Sequence, residues 1–331
     1  MFPAVPLRAT GGSGWLFPGE LVSTRAQLCF TSRFPICGTV ILGVEVIVSA
    51  QGAGALGRRV ELRLITWNLH GLPPLARFGL GDSLARVAEE TCRRAPDVLL
   101  FQEVWRRSYT ARIIGHCQTA GYTPVLAQQG GRPTGGLVTL YHSATWSLGP
   151  VMFSPFRRHG STLRVWEGDG ISRKGALATV LTNNRNMTSV VVVNTHLQAQ
   201  YGKRTYAVVR RGQVAELESF VAPLTGSGHL MLLAGDFNTT PSDVLYAVLL
   251  ERWTDLTAGF RQVCETERRT GCGTCFDGKT SQKWIDYVFV RRPGPRSVTA
   301  EVELIRNKKR DDPYSDHEGV QVNISSESRP S

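Results

Sequence analysis

The chain has 331 residues, 42% of them apolar and 20% charged, with a formal net charge of +11. This composition excludes a disordered, collagen-like or low-complexity chain, and no apolar run reaches the roughly 18 residues that a membrane-spanning helix needs. The positive charge favours anionic partners (phosphodiesters, nucleic acid or an acidic lipid surface) without choosing among them.

Residues 1–60 read as an N-terminal extension rich in Gly and Pro, with no amphipathic period. Within it, residues 34–50 resemble a secretory signal. Arg33 precedes a mostly apolar run from Ile36 to Val48, interrupted by Glu45, and Val48-Ser49-Ala50 follows as a cleavage-like site. Such a signal normally lies at the N-terminus; a start site upstream of the true one would explain the offset. The other reading is a loosely packed extension.

From Glu61 a single domain, 61–326, is expected. Leu62 to Trp67 alternates as a strand, and 82–94 reads as a helix capped by Asp82 or Ser83, with Leu84, Val87 and Ala88 on one face. Asp97 to Phe101 is the continuous apolar run of a strand buried on both faces. Residues 108–119 read as a helix, and a strand restarts at Gly121-Tyr122. Further strands are expected at 135–141, 175–181, 189–194, 229–234, 284–290 and 298–305, and helices at 204–222 and 241–250. Residues 255–282 are polar and turn-rich, as in a surface excursion. The mixture implies an α/β architecture with more than one sheet layer.

Polar residues follow several of these strands. Strand 62–67 runs into Asn68-Leu69-His70-Gly71, and the run 97–101 into Gln102-Glu103. Val190 to Val193 leads to Asn194-Thr195-His196, and Leu230 to Ala234 to Gly235-Asp236-Phe237-Asn238. Asp286 interrupts Trp284 to Tyr287, and Ser315-Asp316-His317 lies near the C-terminus. Glu103 and Asn68 offer hard oxygen ligands suited to Mg²⁺ or another divalent ion such as Mn²⁺ or Ca²⁺. Imidazoles with carboxylate partners can orient a water, and an amide such as Asn238 can donate to a developing oxyanion. No Ser or Cys sits in a nucleophile-elbow context. The set therefore points to metal-assisted hydrolysis of a phosphate ester by water.

In this order, the motifs resemble the endonuclease/exonuclease/phosphatase superfamily, over about residues 62–325. The resemblance implies a four-layer α/β/β/α sandwich of two mixed β-sheets flanked by helices, with the site at one edge. It implies metal ligation by Glu103, Asn68 and Asp316, and catalytic roles for His317, Asp286, Asp236, Asn238 and His196. Either His317 or Asp236 would take the proton from water. Leu72-Pro73-Pro74, Glu103-Val104-Trp105, Lys174-Gly175 and Asn194 to Tyr201, with Arg210 and Gln213, resemble the neutral sphingomyelinase-like branch. That branch implies a phospholipid substrate at a membrane surface, with Lys174 and Asn194 as substrate contacts; Lys174 is equally a turn residue before a strand. Phe153, Phe156 and Trp166 are the aromatic candidates for membrane insertion. The alternative is a nuclease acting on DNA or RNA, with Arg106-Arg107, Arg157-Arg158, Arg210-Arg211, Arg291-Arg292 and Lys308-Lys309-Arg310 as backbone contacts. Nothing points to a protein partner.

Of seven Cys, Cys92 and Cys117 fall on predicted helices and are expected as buried thiols. Cys264, Cys272 and Cys275 cluster in the polar excursion. They suit a disulfide from Cys264 to either Cys272 or Cys275, a zinc site lacking its fourth ligand, or free thiols. A secreted or extracytoplasmic protein is the expectation, with the cytoplasm as the alternative.

Overall fold

A computed structural model describes residues 42–46, 59–71, 80–129, 132–161, 172–201, 206–227, 229–269, 271–276, 282–292, 297–306 and 315–327. In chain order the elements are β1 (Leu42–Val46), β2 (Arg59–Asn68), α1 (Leu80–Arg93), β3 (Val98–Gln102) and α2 (Arg107–Gln118). Then come β4 (Tyr122–Gln129), β5 (Arg132–His142), β6 (Trp146–Pro155), β7 (Gly175–Asn183) and β8 (Ser189–His196). Next are α3 (Ala207–Val221), β9 (Leu230–Asp236), α4 (Val244–Leu250), β10 (Trp253–Asp255) and α5 (Ala258–Thr266). The short β11 (Cys275–Phe276) and β12 (Gln282–Lys283) pair with each other, before β13 (Asp286–Arg291), β14 (Ser297–Ile305) and β15 (Gly319–Glu327). Most of the signal-like segment, Leu72-Pro73-Pro74, Trp166, Lys308-Lys309-Arg310, Cys29 and Cys37 lie outside the described residues.

Two mixed sheets form, in the orders β1-β14-β15-β2-β3-β5-β4 and β10-β13-β9-β8-β7-β6. Each contains one parallel pair, β2 with β3 and β8 with β9, and all other pairings are antiparallel. A parallel pair needs a crossover, supplied here by α1 and α3. It also brings the C-terminal ends of both strands to the same edge. Asn68 aligns with Gln102, and His196 with Asp236. The antiparallel neighbours β13 and β15 begin at that edge, where Asp286 aligns with Asp236 and Val320 with Thr66.

The central strands are apolar because both faces are covered: β3 and β9 are buried at every residue. One core lies between the sheets and continues beneath α3 and α4, where Val214, Leu217, Val221, Leu245 and Leu249 pack. A second lies between the first sheet and α1 and α2, and includes Ile65, Leu84, Val87, Leu99 and Ile113. This is the expected α/β/β/α sandwich. Among the described residues, no helix is long and apolar enough to cross a membrane.

Several local expectations are corrected. α1 starts at Leu80, which places Asp82 and Ser83 inside the first turn and not at the cap. β6, β10, α5 and β15 were not anticipated. α5 falls in the stretch read as surface excursion, yet buries Phe260, Arg261 and Cys264. Cys92 and Cys117 are not free thiols: they form a disulfide joining α1 to α2. Cys264 pairs with Cys272, leaving Cys275 as the free cysteine among the described residues. Cross-links of this kind limit the unfolded chain, by about 2–4 kcal/mol each. Thermal melting with a thiol reductant should therefore fall by several degrees. An unchanged midpoint, with free thiols confirmed by titration, would show that neither bridge contributes.

Candidate active site

Glu103 stands one residue past β3 with a left-handed backbone (φ 61°), unusual for a side chain of this size. Its turn is fixed from both sides. Leu69 N donates to Gln102 O (3.1 Å), and Val104 N to Gly136 O (2.9 Å). Gly71 lies so close that a Cβ there would come within 1.9 Å of Glu103 O, so only glycine fits. Gly136, at φ 63°, likewise leaves room for the Trp105 ring, which roofs the site 6.4 Å from the His196 ring.

Asn68 bridges two acids. Its Nδ2 donates to Glu103 Oε1 (3.2 Å) and Asp236 Oδ2 (2.8 Å), while its Oδ1 accepts from His70 N (3.0 Å). In this arrangement the amide nitrogen holds the two carboxylates and the amide oxygen holds the His70 N–H. Burial pushes Glu103 up to about 7, against the pull of Lys174, and its Oε2 is buried with no partner. An anionic oxygen left orphaned among acids fits a hard divalent cation. Burial and the neighbouring Asp286 also raise Asp236, to about 6.

His317 is held more tightly. Its ring Nδ1 bonds Asp286 Oδ2 at 2.8 Å, which leaves Nε2 facing Asp236 Oδ2 (3.8 Å) and Asp316 Oδ1 (3.9 Å). Burial pulls its pKa down, but Asp286 and Asp316 outweigh that and hold it well above the ordinary histidine value. Trp67 Nε1 donates to His317 O (2.9 Å), and Ser315 Oγ donates to Asn68 O (2.6 Å), tying the segment to β2.

On the opposite wall, Lys174 is 4% exposed, and its Nζ donates to His196 Nε2 (2.8 Å) and Leu197 O (2.9 Å). Burial and this ammonium push His196 well below its ordinary value, so the ring is neutral and accepts at Nε2. That nitrogen lies 3.4 Å from Asp236 Oδ2 and 3.9 Å from Glu103 Oε1. Asn238 is left-handed (φ 48°); its N–H donates to Asp236 Oδ1 (2.8 Å) and its Nδ2 to Leu197 O (3.1 Å).

The structure thus brings together Asn68, Glu103, Lys174, His196, Asp236, Asn238, Asp286, Asp316 and His317. Asn194 stands apart. Fully buried, its amide accepts from Gln102 Nε2 (2.8 Å) and donates to Phe101 O and Val138 O, joining the sheets behind the site. The substrate contact expected there is replaced by a structural one. Phe156 is core, and Phe153 packs over Gly135 and Gly175, so neither projects as an inserting aromatic.

Three contributors lie outside the metal, catalytic and substrate-binding set expected from the sequence. His70 Nδ1 meets Asp316 Oδ1 at 3.2 Å, and its place two residues after Asn68 was the available signal. Arg210 is buried with its Nε unpartnered, and Asp243 and Asp236 counter the lowering of its pKa by burial. Thr274 had no sequence signal at all. Its Oγ1 accepts from Ile285 N (3.0 Å) and Asp286 N (3.1 Å), and its carbonyl accepts from Glu318 N (2.7 Å). It therefore clasps the start of β13 to the His317 segment. Thr274→Val should leave two buried N–H groups unpaired, cost about 1–3 kcal/mol and lower kcat about tenfold or more, while Thr274→Ser should restore both. Steady-state kinetics with melting curves checks this; a Val variant with unchanged kcat would separate the clasp from the site.

Carboxylates around an orphaned acid oxygen, a carboxylate-held imidazole and a buried ammonium, all at one edge of a double-sheet sandwich, define a hydrolase of phosphate esters. The chain matches the Endonuclease/Exonuclease/phosphatase family over residues 65–317, and belongs to it. It is 25% identical over 313 residues to the inositol phosphosphingolipids phospholipase C of Schizosaccharomyces pombe, covering 82% of this chain and 70% of that protein. It is 24% identical over 295 residues to a putative neutral sphingomyelinase of Drosophila melanogaster, covering 80% of this chain and 61% of that protein. The crystal structure of an endonuclease/exonuclease/phosphatase from Bacteroides vulgatus shares the fold, with a TM-score of 0.63 and 14% identity over 81% of this chain and all of that one.

Proposed function

We propose that the protein is a divalent-metal-dependent phosphodiesterase that uses water to cleave the headgroup of a sphingomyelin-like phospholipid. The observation that carries the hydrolytic reading is the Asp286-held His317, whose Nε2 faces Asp236 across 3.8 Å. Glu103 would hold Mg²⁺, or Mn²⁺ or Ca²⁺ in its place, with Asn68 fixing that carboxylate and Asp316 at the rim. When bound, the ion supplies positive charge against the phosphoryl oxygens. His317 Nε2 takes the proton of the attacking water, and Asp286 fixes the ring's tautomer and stabilises the imidazolium that forms. Asp236 orients that water. The second N–H of Asn238 and the charge of Lys174 stabilise the phosphoryl oxygens, and neutral His196 stands beside them or the leaving group.

The lipid substrate is favoured by the two sphingolipid-acting relatives, which match about four-fifths of this chain. The net charge of +11 fits a nucleic-acid backbone as well as a lipid surface. Two assays with Mg²⁺ separate them: phosphocholine release from sphingomyelin vesicles, and nicking of supercoiled plasmid. Release without nicking is expected; nicking without release would transfer the reading to a nuclease. The disulfides of α1–α2 and of Cys264–Cys272 support export to an oxidising compartment, as the signal-like segment does. Thiol labelling of the protein from its native compartment tests this, and labelled Cys92 would overturn it.

A further inference from the structure

Trp105 stands two residues after Glu103 and is half-buried, with its indole 6.4 Å from the His196 ring. Among the described residues it belongs to neither apolar core. Its setting is nevertheless fixed by backbone. Val104 N donates to Gly136 O (2.9 Å), and a Cβ on Gly136 would come 2.6–2.9 Å from Cε3, Cζ3 and Cδ2 of the indole. Three adjacent ring atoms at nearly equal distance put Gly136 against a face of the ring and not its edge. The indole therefore lies flat on the chain beside the imidazole, and part of its remaining surface is open.

We propose that Trp105 reads the headgroup: its indole receives a quaternary ammonium such as choline, while the attached phosphate sits against Lys174, Asn238 and His196. This rests on the phospholipid reading and narrows it to substrates that end in a trimethylammonium group. The chemistry of the two partners matches. A trimethylammonium has no N–H to donate, so it needs no acceptor and is held by the negative face of an aromatic ring. A primary ammonium against the same indole would give up hydration without gaining acceptors from it. The reach matches as well. Two carbons separate phosphate from nitrogen in a choline ester, so a phosphate beside His196 carries the cation to a ring 6.4 Å away. The rigid support of Gly136 means that little side-chain entropy is lost when the cation arrives.

The test uses the full chain with Mg²⁺ and two lipids in mixed detergent micelles: sphingomyelin, and its 3,3-dimethylbutyl isostere, which keeps the headgroup's shape and lacks its charge. Ceramide release reads both. The wild type should prefer sphingomyelin by about tenfold in kcat/KM, within the range of one cation–ring contact. Trp105→Leu should bring the ratio close to one, and Trp105→Phe should keep an intermediate ratio. Poor folding lowers both rates alike and leaves their ratio unmoved. A wild type that cleaves both lipids equally, or a Leu variant that keeps the preference, overturns the assignment and leaves the phospholipid reading standing. No ceramide from either lipid overturns that reading and this assignment with it. Plasmid nicking that then falls in the Leu variant would give the ring to a stacked base instead.

Discussion

Glu103→Gln should abolish hydrolysis, lowering kcat by about 10³-fold or more, and should make the metal-free protein more stable at neutral pH. Both effects have one cause. Burial lifts the Glu103 carboxyl from 4.5 to about 7, so the folded protein holds this proton more tightly than the unfolded chain does. Its ionisation penalty is absent below the unfolded value, grows as pH rises from about 4.5 to 7, and is complete above that. At roughly 1.4 kcal/mol per pH unit, the penalty is of order 3 kcal/mol. Gln carries no charge, so the variant should lose this slope. A divalent ion offsets the same charge, so Mg²⁺ should raise the wild-type melting temperature above pH 7 and leave the variant unmoved. Melting curves across this pH range, with and without Mg²⁺, read all three effects. Full turnover in the variant, or an undiminished Mg²⁺ shift, would sink the assignment.

Asp286→Asn should lower kcat by about 10²–10⁴-fold and move the acid limb of the kcat/KM profile to lower pH. Asp286 is the strongest of the influences that hold the His317 pKa up against burial. Without its charge the imidazole loses its proton at lower pH, so the base is free sooner but weaker, and its tautomer is no longer fixed. A purely structural aspartate would reduce activity and leave the limb in place. An unshifted limb with a reduced kcat would therefore remove His317 as the base. His317→Ala should lose the limb altogether.

What could be read in the sequence follows from how locally each feature is determined. Strands buried on both faces, such as Val98 to Gln102, announce themselves as unbroken apolar runs. The polar residues at their ends mark the site because the parallel pairs bring those ends to one edge. β6 was hidden by Gly149-Pro150. It is an edge strand, where Pro is tolerated, and a register shift between Leu148 and Val151 absorbs the pair. β15 carries its signal in the alternation of Val320, Val322 and Ile324, which starts directly after the polar Ser315-Asp316-His317-Glu318 segment with no turn residue but Gly319 to mark the boundary. α5 could not be read, because its buried face includes a charge. Arg261 lies inside the fold because Asp255 (2.7 Å), Tyr246 and Thr257 satisfy it, and none of these partners is apparent from periodicity. The Cys92–Cys117 bridge depends on how α1 packs against α2, which residue spacing does not encode. Asn194 was misread for the opposite reason: its motif placed it beside the site, but its side chain points back between the sheets.

That inward amide has a consequence for specificity of folding. Glu103 belongs to one sheet, and His196, Asp236 and Asp286 to the other, so the site exists only at one relative setting of two apolar faces. Apolar contacts are non-directional and tolerate small sliding movements. The Gln102–Asn194 bond does not, because the Gln102 Nε2 donor and the buried Asn194 Oδ1 acceptor meet only in that setting. A double replacement by Leu would trade this lock for grease: melting temperature could hold or rise, while the population divides among near-equivalent alignments. Activity would then decline through a shrinking share of correctly assembled molecules, each turning over at the normal rate, and the buried amide pair would act as an alignment pin for chemistry it never touches.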